Sequence, residues 1–208
     1  MNRVGALLTD ILRWHRRVGS PLGDFLRDGI TGAEVASTLA PVGIGVDGVA
    51  DELCDLYSCH NGVDQEAWDR AEMPWPAELW PGAVFFDIDR AVASYAANRD
   101  TAMAASREVP GSEPDEFWPD WLVPIFGLGV NAFGVDCHGP SPGAVWAWYW
   151  EPTADDPCRR VAASLEELLE SVRMRFELGA YRWDPERQLV VEDHDRLSML
   201  PWPADRNN

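Results

Sequence analysis

The sequence predicts a single α+β domain in which helices flank a central, mainly antiparallel sheet. Two segments begin with the Ser/Thr-x-x-Glu spacing that caps helices, at Thr31 with Glu34 and at Ser164 with Glu167. Between them lie segments rich in β-branched and aromatic residues that are separated by glycines, as in strands joined by short turns. These strand segments are 122–126, 132–136 and 143–150. A chain of 208 residues is long enough to bury its own core.

The first half of the chain is predicted to be mainly helical. Apolar residues recur at helical spacing in 3–18, and the helix that Thr31 caps ends near Leu39, before Pro41. A third helix is predicted to begin at Asp47 and to end at Asn61-Gly62, because these two residue types readily adopt the left-handed conformation that terminates helices. Its apolar face comprises Val49, Leu53, Leu56 and Tyr57.

The second half alternates loops with regular elements. We expect an irregular loop over 63–82, a strand over 83–86 and a helix that Asp89 caps and that runs through Ala97. The acidic, proline-bearing segment 106–120 is predicted to be a mobile insertion. After the strands, the helix that Ser164 opens should end at Gly179. We expect the domain to cover 1–185, with 186–208 as a loosely tethered tail in which 188–191 can form an edge strand.

The charge balance restricts the partners that this chain can bind. It has 17 Lys and Arg against 35 Asp and Glu, for a formal net charge of −18. Nucleic acids and anionic membranes are disfavoured as partners, because both bind through basic side chains. A basic protein is favoured instead, since opposite charges can accelerate association.

Localisation is predicted from hydropathy and cysteine usage. No run of about 18 apolar residues is present, and charged residues interrupt the apolar stripe of 3–18, unlike a signal peptide. Cys54, Cys59, Cys137 and Cys158 are expected to be reduced thiols, because disulfide frameworks belong mainly to small secreted chains. We therefore expect a cytoplasmic protein.

Three segments in this order resemble the SUKH superfamily, which includes a fungal cell-wall assembly regulator and many bacterial immunity proteins. They are Leu56-Tyr57-Ser58-Cys59-His60-Asn61-Gly62, then Trp121-Leu122-Val123-Pro124-Ile125-Phe126-Gly127 leading into Phe133-Gly134-Val135-Asp136, and Ala163-Ser164-Leu165-Glu166-Glu167-Leu168-Leu169. The resemblance covers about 30–180. It implies an α+β fold and, in bacteria, a protein that neutralises a toxin domain encoded by a neighbouring gene. Such toxins are frequently nucleases and often basic, which agrees with the charge argument.

Cofactor and metal chemistry are weakly indicated. Gly127-Leu128-Gly129 leads into a predicted strand, whereas a phosphate-binding loop leads into a helix. Cys54, Cys59 and His60 lack the second ligand pair typical of zinc sites, so Cys54 is interpreted as a small buried apolar residue. We predict no cofactor, no metal and no catalytic residue.

Two alternative functions remain open. An intracellular regulatory scaffold of the same fold would bind a partner that is not a toxin. A carbohydrate-active enzyme would use a pair of carboxylates, either Asp87 with Asp89 or two of Asp115, Glu116 and Asp120, beside aromatic side chains that stack on sugars.

The tryptophans separate into core and interface candidates. Trp146, Trp148 and Trp150 alternate along a predicted strand, so they share one face, which we expect to be core. Trp75, Trp80 and Trp118 lie in acidic loops, and we predict that they anchor a protein interface. The acidic residues predicted to surround these anchors are Asp64, Glu66, Asp69, Glu72, Asp115, Glu116 and Asp120. Together these residues form the hypothetical site at which a basic toxin domain is covered.

Overall fold

A computed structural model describes residues 2–43, 51–73, 75, 77–129, 131–149 and 158–204. Its helices are α1 (Arg3–Val18), α2 (Gly32–Leu39), α3 (Asp51–Cys59), α4 (Gln65–Arg70), α5 (Ile88–Glu108), α6 (Leu165–Glu177) and α7 (His194–Ser198). Its strands are β1 (Leu26–Asp28), β2 (His60–Val63), β3 (Glu78–Trp80), β4 (Ala83–Phe85), β5 (Leu122–Leu128), β6 (Asn131–Asp136), β7 (Val145–Trp148), β8 (Cys158–Ala162), β9 (Tyr181–Asp184) and β10 (Leu189–Glu192). None of the helices in the described residues combines the length and the apolar character needed to cross a membrane.

The central sheet has six antiparallel strands in the order β3-β4-β5-β6-β7-β8. Each strand pairs with its neighbour in sequence, as expected for short connections between antiparallel strands. The α+β prediction is confirmed. Two smaller antiparallel pairs, β1 with β2 and β9 with β10, lie outside this sheet.

The two faces of the sheet are covered by different helices. Val123, Phe133 and Ala147 belong to the main core cluster, which also contains the apolar stripes of α1, α3 and α6. Their neighbours Leu122, Ala132 and Trp148 point to the opposite face, because side chains alternate along a strand. There they form a second cluster with Ala102 of α5 and with Trp118. The sheet is therefore sandwiched between α1, α3 and α6 on one side and the second half of α5 on the other.

This arrangement confirms the predicted burial of the tryptophan face only in part. Trp148 is buried in the second cluster, whereas Trp146 is half-buried and packs its ring against Trp121 at 5.1 Å. Trp150 lies outside the described residues, as do Asp47 and Val49 of the predicted third helix.

Helix caps show where local sequence signals succeed. Thr31 and Glu34 form the predicted capping box at the start of α2. Ser164 accepts a hydrogen bond from the backbone N–H of Glu167 at the start of α6. Gly179, with φ 69°, follows the end of that helix, as predicted.

Two predicted helix boundaries are wrong. Asn61 and Gly62 do not terminate α3, because that helix ends at Cys59 and both residues lie in β2. Asp89 does not cap α5. Asp87 does, since its Oδ1 accepts from the backbone N–H of Arg90 at 2.8 Å, and Asp89 occupies the exposed first turn.

The segments predicted to be irregular or mobile contain regular structure. The expected loop over 63–82 contains α4 and β3. Within 106–120, the first three residues complete α5, and Trp118 and Pro119 are buried.

The expected C-terminal tail is packed on the domain as far as it is described. Its boundary at 185/186 falls in the turn between β9 and β10. The Arg175 guanidinium lies 3.7 Å from the ring centre of Trp202 and donates to the carbonyl of Leu200, so α6 holds this segment in place.

The turn between β6 and β7 is organised by Asp136, a fully buried carboxylate. Its two oxygens accept from the backbone N–H groups of Gly139 at 2.6 Å and Ser141 at 2.7 Å. Asp136→Asn replaces one acceptor by a donor that faces an N–H, so we expect the free energy of unfolding to fall by about 1.5 kcal/mol in urea denaturation. Asp184→Asn is the matched control, because a single Asp184 oxygen, in a more exposed position, accepts from two turn N–H groups, and asparagine keeps that oxygen. It should lose less than about 0.5 kcal/mol, and equal losses would contradict the role given to the two buried oxygens of Asp136.

Candidate interaction surface

The first part of the candidate surface is built on α4. Asp64 caps this helix by accepting from the backbone N–H of Ala67, and its carboxylate lies 3.9 Å from Arg27. Trp68 anchors the helix from below, because its side chain is buried and packs edge-on against Phe25. Glu66, Asp69 and Glu72 are exposed on the outer side. The acidic residues of this segment therefore belong to a helix that is packed against the core.

Beside α4 lies a concave site of about 350 Å³, which we call the Trp75 depression. It is lined by Gln65, Trp68, Asp69, Met73, Trp75, Val84, Arg90 and Leu128. The indole N–H of Trp68 donates to the backbone carbonyl of Trp75 at 2.6 Å, which ties the loop after α4 back onto the helix. The Trp75 side chain itself is 47% exposed. The depression thus combines an exposed aromatic ring with apolar walls and a polar rim.

The second acidic segment, 113–120, is fastened to α5. Arg99 donates to Asp115 at 2.6 Å and also to the carbonyl of Trp118, while the Tyr95 hydroxyl donates to the carbonyl of Asp120. Asp115 and Asp120 nevertheless keep about half of their side chains exposed. This segment therefore presents carboxylates from a packed position.

The exposed face of α5 connects the two acidic segments. Arg90 contacts Gln65, the first residue of α4, and Arg99 contacts Asp115. These arginines are two and a half turns apart on α5, so their side chains point to opposite sides of the helix. Along the helix axis they are about 13 Å apart. The outward stripe of the helix exposes small and acidic side chains, namely Asp89, Ala93, Ala96, Ala97, Asp100 and Ala104, and it ends at the exposed Arg107. The two segments and this face form one continuous surface, which we call the acidic face.

Sequence reasoning missed the contribution of α5 to this surface. Asp89 was assigned to a cap and Asp100 to no role, because the helix was predicted to end at Ala97. The helical spacing of Asp89, Ala93, Ala97, Asp100 and Ala104 was the available signal, since it marks one polar or small-residue stripe over four turns.

Of the three predicted tryptophan anchors, the structure leaves only Trp75 exposed. Trp80 is fully buried, with its ring 4.6 Å from Phe126. Trp118 is 3% exposed, packs against Trp148 at 5.2 Å and donates its indole N–H to the carbonyl of Leu122. The assignment of these two residues as surface anchors is therefore wrong. Both are core residues: Trp80 packs the edge strand β3 against the core, and Trp118 does the same for the acidic segment 113–120.

The acidic residues predicted to form the interface are distributed over the two segments of the acidic face. Glu66, Asp69, Glu72, Asp115 and Glu116 are exposed, and Asp64 and Asp120 are partly exposed. Two of the carboxylates considered for sugar chemistry have other described contacts. Asp87 is a buried helix cap near Arg27, and Asp115 is paired with Arg99.

The thiols considered as metal ligands sit in apolar surroundings. Cys54 and Cys59 are half-buried and pack against the main core. Burial raises the pKa of both thiols, and neighbouring aspartates raise it further. A group of three or more His, Cys, Asp or Glu side chains placed to hold a metal ion does not occur among the described residues.

Comparison with known proteins gives no family assignment. No protein-family model matches this chain, and no curated protein matches it by sequence.

Proposed function

We propose that this chain is a non-enzymatic binding protein of the SUKH immunity type, which neutralises a basic toxin domain, such as a nuclease, by covering it. The observation that carries the proposal is the acidic face, on which α5 is joined to 64–72 by the contact of Arg90 with Gln65 and to 113–120 by the contact of Arg99 with Asp115. The order of motifs that resembles the SUKH superfamily supports it independently.

The distribution of charge favours a basic partner. The basic cluster near the end of the N-terminal helix, Arg13, Arg16 and Arg17, lies on α1, which covers the other side of the sheet from the second half of α5. The acidic face is therefore not offset by this basic cluster. A cationic protein would be attracted to the acidic face over distances up to about the Debye length, roughly 8 Å at physiological ionic strength.

The shape of the acidic face suits occlusion of another protein. The exposed alanines of α5 have short side chains, so a protein partner can approach the helix backbone closely. Carboxylates on either side of the helix can then contact the basic groups of the partner. Binding of about nanomolar affinity is needed to outcompete a toxin's substrate, and an interface of about 1,600 Å² can provide it.

The proposal is tested by co-expression with the C-terminal domain encoded by the adjacent gene. We expect that domain to stop growth alone, and this chain to restore growth and to co-purify with it. A variant carrying E66Q, D69N, D100N and E116Q should associate at least tenfold more slowly at low salt, with a weaker salt dependence.

The control variant carries E166Q, E177Q, E186Q and D195N. These residues are exposed and lie outside the acidic face, and the change in net charge is the same. Its association rate should stay within about threefold of the unmodified chain. Equal slowing by both sets would show that net charge, and not the acidic face, governs binding, and failure of the chain to protect cells would refute the immunity role.

A further inference from the structure

We propose that the Trp75 depression receives one arginine or lysine side chain of the protein partner. This inference rests on the proposed function, because it specifies how a basic protein is recognised on the acidic face. It is carried by three features of the depression: its apolar walls, its exposed indole and the carboxylate at its rim.

The walls match the aliphatic part of a long basic side chain. Val84 and Leu128 line the depression where β4 and β5 pair, and Met73 lines it from the loop after α4. Arginine and lysine bury their methylene stems along such apolar surface while keeping the charged head in contact with polar groups. The volume of about 350 Å³ admits such a side chain together with some water.

The exposed indole of Trp75 is suited to contact with a cation. A guanidinium or ammonium group over an indole face is attracted by the negative face of the ring. The Trp68–Trp75 hydrogen bond joins a buried side chain to the backbone of the exposed residue, so the main chain that carries the ring is fixed to α4 before a partner arrives. A main chain that is already positioned loses less conformational entropy on binding.

The charges around the depression favour a cation. The Asp69 carboxylate at the rim accepts from the neutral Gln65 side chain at 2.7 Å, and it also interacts electrostatically with Arg90. Glu66 and Glu72 add exposed carboxylates on the same segment.

Two arginines lie near Asp69, and one of them, Arg90, lines the depression itself. Arg70 pairs with Glu66 at 3.6 Å. Arg90 lies 4.3 Å from the ring centre of Phe86 and donates to the Gln65 side chain. The three exposed carboxylates of Glu66, Asp69 and Glu72 outnumber the guanidinium groups of Arg70 and Arg90, so the surroundings of the depression stay net negative.

The test uses single amino-acid probes and the full chain. N-acetylarginine amide and N-acetyllysine amide are titrated while the tryptophan indole N–H resonances are followed by NMR, with the Trp75 signal assigned from its loss in W75F. We expect saturable shifts of the Trp75 signal with a Kd in the millimolar range, as suits one side chain. N-acetylnorleucine amide, which has the stem without the charge, should bind at least fivefold more weakly.

Matched variants separate the depression from general effects. D69N should weaken the arginine probe about threefold, whereas D195N removes an exposed carboxylate on α7 and should leave its affinity unchanged. W75A should abolish saturable binding of the probe, measured on the amide resonances of the depression. M199A removes an apolar side chain that is 72% exposed and should have no effect. Equal binding of the norleucine probe, or the absence of a saturable Trp75 shift, would overturn the inference.

The same variants distinguish this inference from the proposed function. If the basic partner binds the unmodified chain but W75A and D69N bind it with unchanged affinity, the depression is not the recognition site and only the inference fails. If the arginine probe binds as expected but the chain protects cells against no basic toxin domain, the proposed function fails and the inference about the cation site remains. With both correct, W75A should weaken the partner complex by at least about thirtyfold.

Discussion

Replacing Gly62 by alanine is expected to lower the free energy of unfolding by at least about 4 kcal/mol, or to prevent cooperative folding altogether. A Cβ at this position would stand 2.1 Å from the backbone nitrogen of Asp87 and 2.4 Å from the carbonyl carbon of Phe86. Both contacts are with backbone atoms, so no side chain can move aside. The φ of 71° adds strain for any residue other than glycine. Urea denaturation followed by circular dichroism measures the loss.

The matched control is Gly82→Ala. Gly82 has a similar φ of 77°, but a Cβ there would meet no atom within 4 Å. Only the conformational penalty remains, so a loss of about 1 kcal/mol is expected. Comparable losses in the two variants would contradict the close approach of β2 to the start of α5. That approach matters for the acidic face, because the neighbouring Asn61 accepts from the N–H of Ile88 and so helps to position α5.

A second large effect is expected from two buried groups whose pH dependences oppose each other. His15 is fully buried; its Nε2 donates to the carbonyl of Leu79, and its Nδ1 lies 3.0 Å from the Ser20 hydroxyl. Burial lowers the pKa of His15 to about 4. Between pH 6.5 and about 4 the unfolded chain binds a proton at His15 that the folded chain does not bind. Stability therefore falls as the pH falls through this window, by about 3 kcal/mol between pH 8 and pH 4.

Glu78 has the reverse dependence. Burial, with a smaller contribution from the nearby Glu192, raises the pKa of this carboxyl from 4.5 to about 7, against a hydrogen bond from the backbone of Gly82. Between these values the folded chain binds a proton that the unfolded chain does not bind, so stability falls as the pH rises. Allowing for solvent screening at its partly exposed side, the loss amounts to about 2 kcal/mol between pH 4 and pH 8.

Single substitutions should separate the two effects. Glu78→Gln removes the term that favours low pH, so between pH 8 and pH 4 this variant should lose about 2 kcal/mol more stability than the unmodified chain. His15→Gln keeps a donor for the carbonyl of Leu79 and should lose about 3 kcal/mol less over the same range. The measurement is a series of urea denaturation curves across this pH range. Parallel pH profiles for all three proteins would show that neither group is buried as described.

Local signals in the sequence were sufficient for much of the fold. The capped starts of α2 and α6 and the cores of β5 and β6 follow from residues within a few positions of one another. The length of α5 was underestimated because Ala102 finds its apolar contacts only in the second cluster, on strands distant in sequence. Asn61-Gly62 was misassigned for a related reason. The glycine is required by the backbone of Asp87, which no local pattern reveals.

The sequence by itself determined the fold class, the sign of the surface charge and the acidic residues considered for binding, because composition, helical and strand periodicity and capping are local properties. Only the tertiary structure decided that Trp80 and Trp118 are core residues while Trp75 is exposed. All three tryptophans occur in similar acidic, proline-containing sequence. The burial of an indole depends on whether distant strands and helices bring apolar side chains around it, and the same long-range packing joins the two acidic segments through the exposed face of α5.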